Sequence, residues 1–313
     1  METKKTNILV IGSATCDIFI ECAPDEITPH ILSGIKIDIS RLHYLVGGGC
    51  INASNALKAL GFEPLPIFKL GRDQTAQVVL KKIKALGLKT DYATFDTDKP
   101  TATSFIIPTP SENRTIFAYR GASEHLAPGD IPFEKLPQLS GIYLAPLTGA
   151  SLELLPSAAE FAAKNQLPFM HNPSNYSLTN GWHLLKRYLP SIGTLLVNRA
   201  EAQLLWNKLH PNTAFSIEEF LQRVHEYTHQ TIIMTDGNSG VYLKDKKDHI
   251  FQPRITVPVA QTVGAGDTFG ATYFGCICRG FSTQKALHAS TIQSSLHVRA
   301  HPLLSIEKIN EKI

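Results

Sequence analysis

The stretch Thr262-Val263-Gly264-Ala265-Gly266-Asp267-Thr268-Phe269 has the residue types needed to hold an anion beside a base. Two glycines flanking an alanine permit a tight turn, and the small and apolar residues behind them predict a helix that starts at once. The unpaired N–H groups of such a helix start converge on one spot, where the helix dipole also favours negative charge. Asp267 then stands beside the anion cradle formed by Gly264, Ala265 and Gly266, placed to take a proton from an incoming hydroxyl. Taken alone, a glycine turn with an aspartate is more often an ordinary capped helix.

Other residues along the chain could serve the same chemistry. Gly47-Gly48-Gly49 is a second glycine turn, and Asn52 on the helix behind it carries an amide that can bond hydroxyls; a plain tight turn has the same spelling. Asp17 follows the strand-ending Gly12 by five residues, where a carboxylate could grip a polyol or merely be solvated. Asn198 and Glu201 stand at the end of a buried strand, the place where open α/β sheets bind their ligands. Thr235-Asp236-Gly237-Asn238-Ser239-Gly240 ends the next strand with two more glycines. His225-Glu226-Tyr227-Thr228-His229 is a literal HExxH, the spelling of a zinc-protease helix. It lacks a third ligand on the structure that follows, and it sits on a crossover helix whose Phe220, Leu221 and Val224 face inward. Zinc chemistry is therefore not expected there.

The elements that must position these residues can be read from periodicity. Residues 7–11 form an apolar strand, and strands at 65–70, 141–145, 167–171, 193–198 and 231–235 alternate with helices at 50–60, 74–86, 151–165, 200–209 and 216–229. A hairpin at 241–252 and helices at 267–279 and 283–298 follow. Strand–helix alternation of this kind predicts a mostly parallel central sheet with helices on both faces, a three-layer α/β/α fold. Two early β-rich regions, about 17–46 and 91–120, interrupt it without helices of their own and suit a small accessory sheet. Each alternates apolar with polar residues, so a lone sheet would expose an apolar face. Covering a substrate, or pairing with the same face of a second copy, would resolve that, and a homodimer through this sheet is expected.

Taken together, the motifs resemble those of the ribokinase family, also called the phosphofructokinase-B family, over nearly the whole chain. The resemblance rests on Gly47-Gly48 with Asn52, Asn198 with Glu201, Thr235 with Gly237 and Gly240, and Gly264-Ala265-Gly266-Asp267, in that order. It implies a ribokinase-like fold, 1–313 as one kinase domain, and a lid made by the two early β regions. It also implies ATP as co-substrate, Mg²⁺ as cofactor, and a small sugar or nucleoside as acceptor. Asp267 would be the base and Gly264 to Gly266 the anion hole. Asp17, Gly47, Gly48 and Asn52 would hold the acceptor. Asn198, Thr235, Gly237, Gly240, Gly264 and Gly266 would meet ATP, and Glu201 would organise Mg²⁺ through water. Gln261 stands where many relatives carry an aspartate that helps ligate a monovalent cation, which counts against that cation. Gly49 stands where ribose-specific members tend to have lysine, which counts against ribose itself. A sugar kinase is the first reading, with a nucleoside kinase, or a catalytically silent ligand-binding relative, as alternatives.

Composition narrows the classes. The 313 residues carry 30 basic and 27 acidic side chains, a net charge of +3, too little to imply binding to nucleic acid or an anionic membrane. No apolar run approaches the roughly 20 residues of a membrane span, and the N-terminus shows no signal-peptide pattern, so a cytoplasmic location is expected. Five cysteines, none in a CxxC, read as reduced thiols. There is no GxxxxGK[ST], no dinucleotide fingerprint at Gly12 and no GxSxG.

Overall fold

The computed structural model describes residues 6–21, 36, 38–108, 114–228, 230–237, 239–258 and 262–312. The chain opens with β1 (Asn7–Ile11), β2 (Thr15–Glu21) and β3 (Arg41–Gly47), then α1 (Gly49–Ala59), β4 (Glu63–Leu70) and α2 (Gln74–Ala85). Three strands follow, β5 (Ala93–Phe95), β6 (Thr103–Pro108) and β7 (Arg114–Tyr119). Next come β8 (Leu139–Leu144), α3 (Leu154–Lys164), β9 (Phe169–His171), α4 (Asn175–Thr179), α5 (Trp182–Tyr188) and β10 (Thr194–Asn198). The last third holds α6 (Arg199–Leu209), α7 (Ile217–Thr228), β11 (Thr231–Asp236), β12 (Gly240–Lys244) and β13 (His249–Pro253). It ends with α8 (Ala265–Cys278), α9 (Thr283–Val298) and α10 (Ile306–Asn310).

Nine of these strands make one sheet in the order β13-β12-β11-β10-β9-β8-β1-β4-β5. Pairing is parallel from β11 through to β5, and antiparallel between β11 and β12 and between β12 and β13. Alternate residues of each strand enter opposite cores, as a period of two requires. Ile8 and Val10 join Leu57, Phe269 and Leu287 on the face covered by α1, α2, α8 and α9. Leu9 and Ile11 join Leu155, Leu205 and Phe220 on the face covered by α3 to α7. The three-layer α/β/α architecture is the one the alternation predicts.

The second sheet has four strands in the order β3-β2-β6-β7, with β2 and β6 parallel and the outer pairs antiparallel. Register puts Asp17, Ser104 and Ala118 on one face and Ile18, Tyr44, Phe105 and Phe117 on the other. Within the 91–120 span, β5 pairs with β4 and so belongs to the large sheet. Three short helices, α4, α5 and α10, were not foreseen, because five to seven residues are too few to show a helical period. Among the described residues no helix is long and apolar enough to cross a membrane. Cys16, Cys50, Cys276 and Cys278 are free thiols.

Candidate functional site

The turn before α8 is the centre of the site. Gly264 caps the helix in the left-handed region, φ 84°, and a Cβ there would come within 2.6 Å of Asn52 Nδ2. Both the backbone conformation and the close approach therefore call for glycine. The helix begins at Ala265, two residues earlier than periodicity suggests, which puts Asp267 in its first turn. The Ala265 N–H turns back to the Thr262 carbonyl at 3.3 Å. Those of Gly264, Gly266 and Asp267 have no acceptor among the described residues, the ordinary condition of a helix start and the one that suits an anion.

Two cavities meet at this turn. The first, about 290 Å³, is bounded by Thr235, Gly237, Gly240, Ala265, Gly266 and Phe269, and α9 closes it with Thr291, Ser294 and Ser295. The second, about 260 Å³, is bounded by Asp17, Gly48, Asn52, Gly264 and Asp267, under the face of the four-stranded sheet that carries Asp17, Ser104 and Ala118. Both open at the carboxyl ends of parallel strands, β11 for the first and β1 and β8 for the second. A Cβ added to Gly266 would meet nothing within 4 Å, so a side chain there would occupy open space.

In the second cavity Asn52 Nδ2 donates to Asp267 Oδ2 at 3.0 Å, which fixes the carboxylate's orientation. Burial pushes the Asp267 carboxyl above the usual aspartate range, against the Asn52 bond and the nearby His297, which favour the ionised form. Asp17 accepts from the Thr15 hydroxyl at 2.9 Å, and burial raises its pKa too, against Thr15, Ser104 and the charge of Arg120. Gly47 lines neither cavity. A Cβ there would collide with the Asp17 carboxylate, so its glycine makes room for that side chain. Gly49 is just as constrained, since a Cβ would meet Ala145 at 2.8 Å and Pro146 at 3.0 Å.

Asn198 and Glu201 lie outside both cavity walls. They form a reciprocal capping box at the start of α6: Asn198 Oδ1 accepts from the Glu201 N–H at 2.9 Å, and Glu201 Oε2 accepts from the Asn198 N–H at 2.8 Å. Glu201 is buried, and burial first, with the Asp267 charge adding to it, lifts its carboxyl to about 7. Gln261, where a cation ligand was in question, falls outside the described residues, as does His229 of the HExxH. The His225 ring is committed to the Gln230 carbonyl at 2.7 Å, closing the end of α7. Among the described residues no cluster of three or more His, Cys, Asp or Glu is placed to hold a metal.

Sequence reasoning missed Arg120, which lines the second cavity from the end of β7, and the α9 residues of the first. Arg120 sits past a strand with no motif of its own. The helix spacing of Thr291, Ser294, Ser295 and Val298 was visible, but which face looks into the cavity depends on how α9 packs on α8.

The chain matches the pfkB family carbohydrate kinases over residues 5–302. A ribokinase of Bacillus subtilis (strain 168) is 22% identical over 293 residues, which cover 93% of this chain and 92% of that protein. The structure of Arabidopsis thaliana ribokinase complexed with ribose and ATP is similar at a TM-score of 0.80 and 21% identity, covering 98% of both chains. A Burkholderia thailandensis nucleoside kinase, solved with inosine, reaches 0.73 at 20% identity, covering 98% of this chain and 97% of that one. These structural likenesses show the fold. The family match goes further: the chain belongs to the pfkB family of carbohydrate kinases, a membership that supports ATP-dependent phosphoryl transfer to a small sugar or nucleoside.

Proposed function

We propose that this chain transfers the γ-phosphoryl group of ATP to an alcohol, a hydroxymethyl group in the first instance, of a small sugar or sugar derivative. One observation carries the reading: the turn of residues 264–267 is a wall of both cavities, with Ala265 and Gly266 on one side and Gly264 and Asp267 on the other. A phosphoryl donor and an alcohol acceptor in adjoining cavities would meet across that wall. ATP would lie against Thr235, Gly237, Gly240 and Gly266. Asp267 accepts the acceptor's hydroxyl proton as the new O–P bond forms and ADP leaves in line. The N–H groups of the turn, with Gly264 to Gly266 as the anion hole, stabilise the developing charge. Positioning and electrostatics supply most of the acceleration in such transfers.

Mg²⁺, when bound with the nucleotide, neutralises charge on its phosphates. Glu201 fits a role toward it through water, because one carboxylate oxygen is held by the Asn198 N–H and Mg²⁺ prefers to keep several waters. In this reading Asn198 acts mainly by orienting Glu201 rather than by touching ATP.

The four-stranded sheet would serve as a lid, with Asp17, Ser104 and Arg120 turned toward the acceptor. Its opposite face exposes Leu42, Tyr44, Phe105, Phe117 and Tyr119, an apolar surface that a second copy would cover in a two-fold contact. The acceptor cavity favours a polyol over a nucleoside: hydroxyls of Ser13, Thr15, Ser104, Ser123, Thr148 and Ser151 line it, and no aromatic side chain is among its lining residues. A nucleobase would want such a surface to stack on. A silent binder would have no use for a carboxylate held by Asn52 at the junction. The deciding experiment is ADP release with ATP and Mg²⁺ over a panel of sugars and nucleosides. Turnover with a sugar supports the proposal, turnover with nucleosides alone transfers the reading to the nucleoside alternative, and none with any acceptor rejects it.

A further inference from the structure

His297, on the last turn of α9, bonds to both flanks of the turn at Gly264. Its Nε2 lies 2.7 Å from the Val263 carbonyl and its Nδ1 3.1 Å from the Thr268 hydroxyl. A carbonyl can only accept, so Nε2 carries a proton. Nδ1 then accepts the Thr268 O–H in the neutral ring, or donates to its oxygen in the imidazolium, and both bonds survive either charge state. The ring edge also closes on the turn itself: a Cβ at Gly264 would come within 3.2 Å of His297 Cε1. Val263 precedes the left-handed cap, and the buried Thr268 follows Asp267 directly. The residue thus spans the segment that carries the Asp267 carboxylate and the N–H groups left without an acceptor among the described residues. It lines neither of the two cavities where ligands are placed above, but a third, with Lys82 and His301, that adjoins the second at Asp17, Asn52 and Val263.

We infer that His297 is a positioning residue for phosphoryl transfer, holding the Val263–Thr268 segment so that its N–H groups and the Asp267 carboxylate keep a fixed register to the reacting centre. The inference rests on the kinase reading. A turn left without this clamp could still bind ATP through the β11–β12 side of its cavity but would lose alignment in the transition state. A displacement of about 1 Å can cost on the order of 10²-fold in rate.

The test compares His297→Leu, His297→Gln, Thr268→Val and Asp267→Asn in the full chain. Gln places an amide N–H close to where Nε2 stands and keeps the Val263 bond. Two readouts are needed: kcat and KM for ATP with the best of D-ribose, D-fructose and inosine, and affinity for ADP alone against ADP with aluminium fluoride, a mimic of the transferring phosphoryl group. For His297→Leu we expect kcat and aluminium-fluoride affinity to fall by about 10- to 100-fold. ADP affinity and KM should stay within about two-fold, as for an interaction realised only in the transition state. His297→Gln should recover most of the loss, and Thr268→Val should reproduce part of it. If the variants change only melting temperature, His297 is a structural tie between α8 and α9 and the inference is overturned. Should His297→Leu fail to fold, Thr268→Val and His297→Gln decide it by the same ratios. The two levels fail differently: full turnover in Asp267→Asn removes the kinase reading and this inference with it, whereas loss in Asp267→Asn without loss in the His297 variants removes only the inference.

Discussion

Asp267 is asked to be a base from inside a cavity wall, and its surroundings pull in opposite directions. Burial raises its pKa, while the Asn52 amide and His297 favour the carboxylate. A base somewhat stronger than free aspartate is better matched to proton removal near neutral pH. The acid limb of kcat should therefore lie above the ordinary aspartate range, with activity lost as pH falls through it. Asn52→Ala removes a bond to the ionised form and should move that limb further up, which a pH–rate profile will show. Asp267→Asn should lower kcat by about 10² to 10⁴ while ADP affinity measured by calorimetry changes little. Gly266→Val tests the nucleotide side. A Cβ there meets no protein atom, so the fold should survive and the added bulk should enter the space assigned to phosphate. Loss of ATP binding with an unchanged melting temperature is the expected result.

Among the elements, the start of α6 joins stability to the site through Glu201. Its carboxyl is lifted to about 7 while the unfolded chain titrates near 4.5, so between those values the folded state binds the extra proton. Stability drawn from this group is thus fully present below about pH 4.5 and declines as pH rises to about 7. Glu201→Gln keeps an oxygen for the Asn198 N–H and removes the buried charge. In the absence of nucleotide and Mg²⁺, the variant should melt above the wild type at pH 8 and near it at pH 5. The same substitution should raise the Mg²⁺ concentration needed for half-maximal rate if the carboxylate acts through water. Thermal melts at the two pH values and a Mg²⁺ titration check the two roles separately.

At the scale of the molecule, the four-stranded sheet has two unlike faces. One overlooks Asp17 and Arg120; the other leaves Leu42, Tyr44, Phe105, Phe117 and Tyr119 between 42% and 48% exposed. Apolar surface on this scale favours association at roughly 25 cal/mol per Å² buried. A dimer by sedimentation at micromolar concentration is expected, and Tyr44→Ser with Phe117→Ser should shift it to monomer. A wild-type monomer with undiminished activity would leave lid closure over one subunit as the surviving form.

The sequence by itself determined the fold class and the four motifs, because both depend on local order: strand and helix periods, and glycines at fixed offsets from Asp267 and Asn52. Tertiary structure decided how those motifs share the work. It separated Gly47, which makes room for Asp17, from Gly48, which lines the cavity between Asp17 and Asp267. It turned Asn198 and Glu201 into each other's partners, a reciprocity that the spacing allows but does not require. It brought Arg120 to the cavity beside Asp267 and His297 to the turn at Gly264, although neither belongs to a motif. Their positions follow from sheet register and from the packing of α9 on α8, contacts between residues distant in the chain that no local pattern encodes.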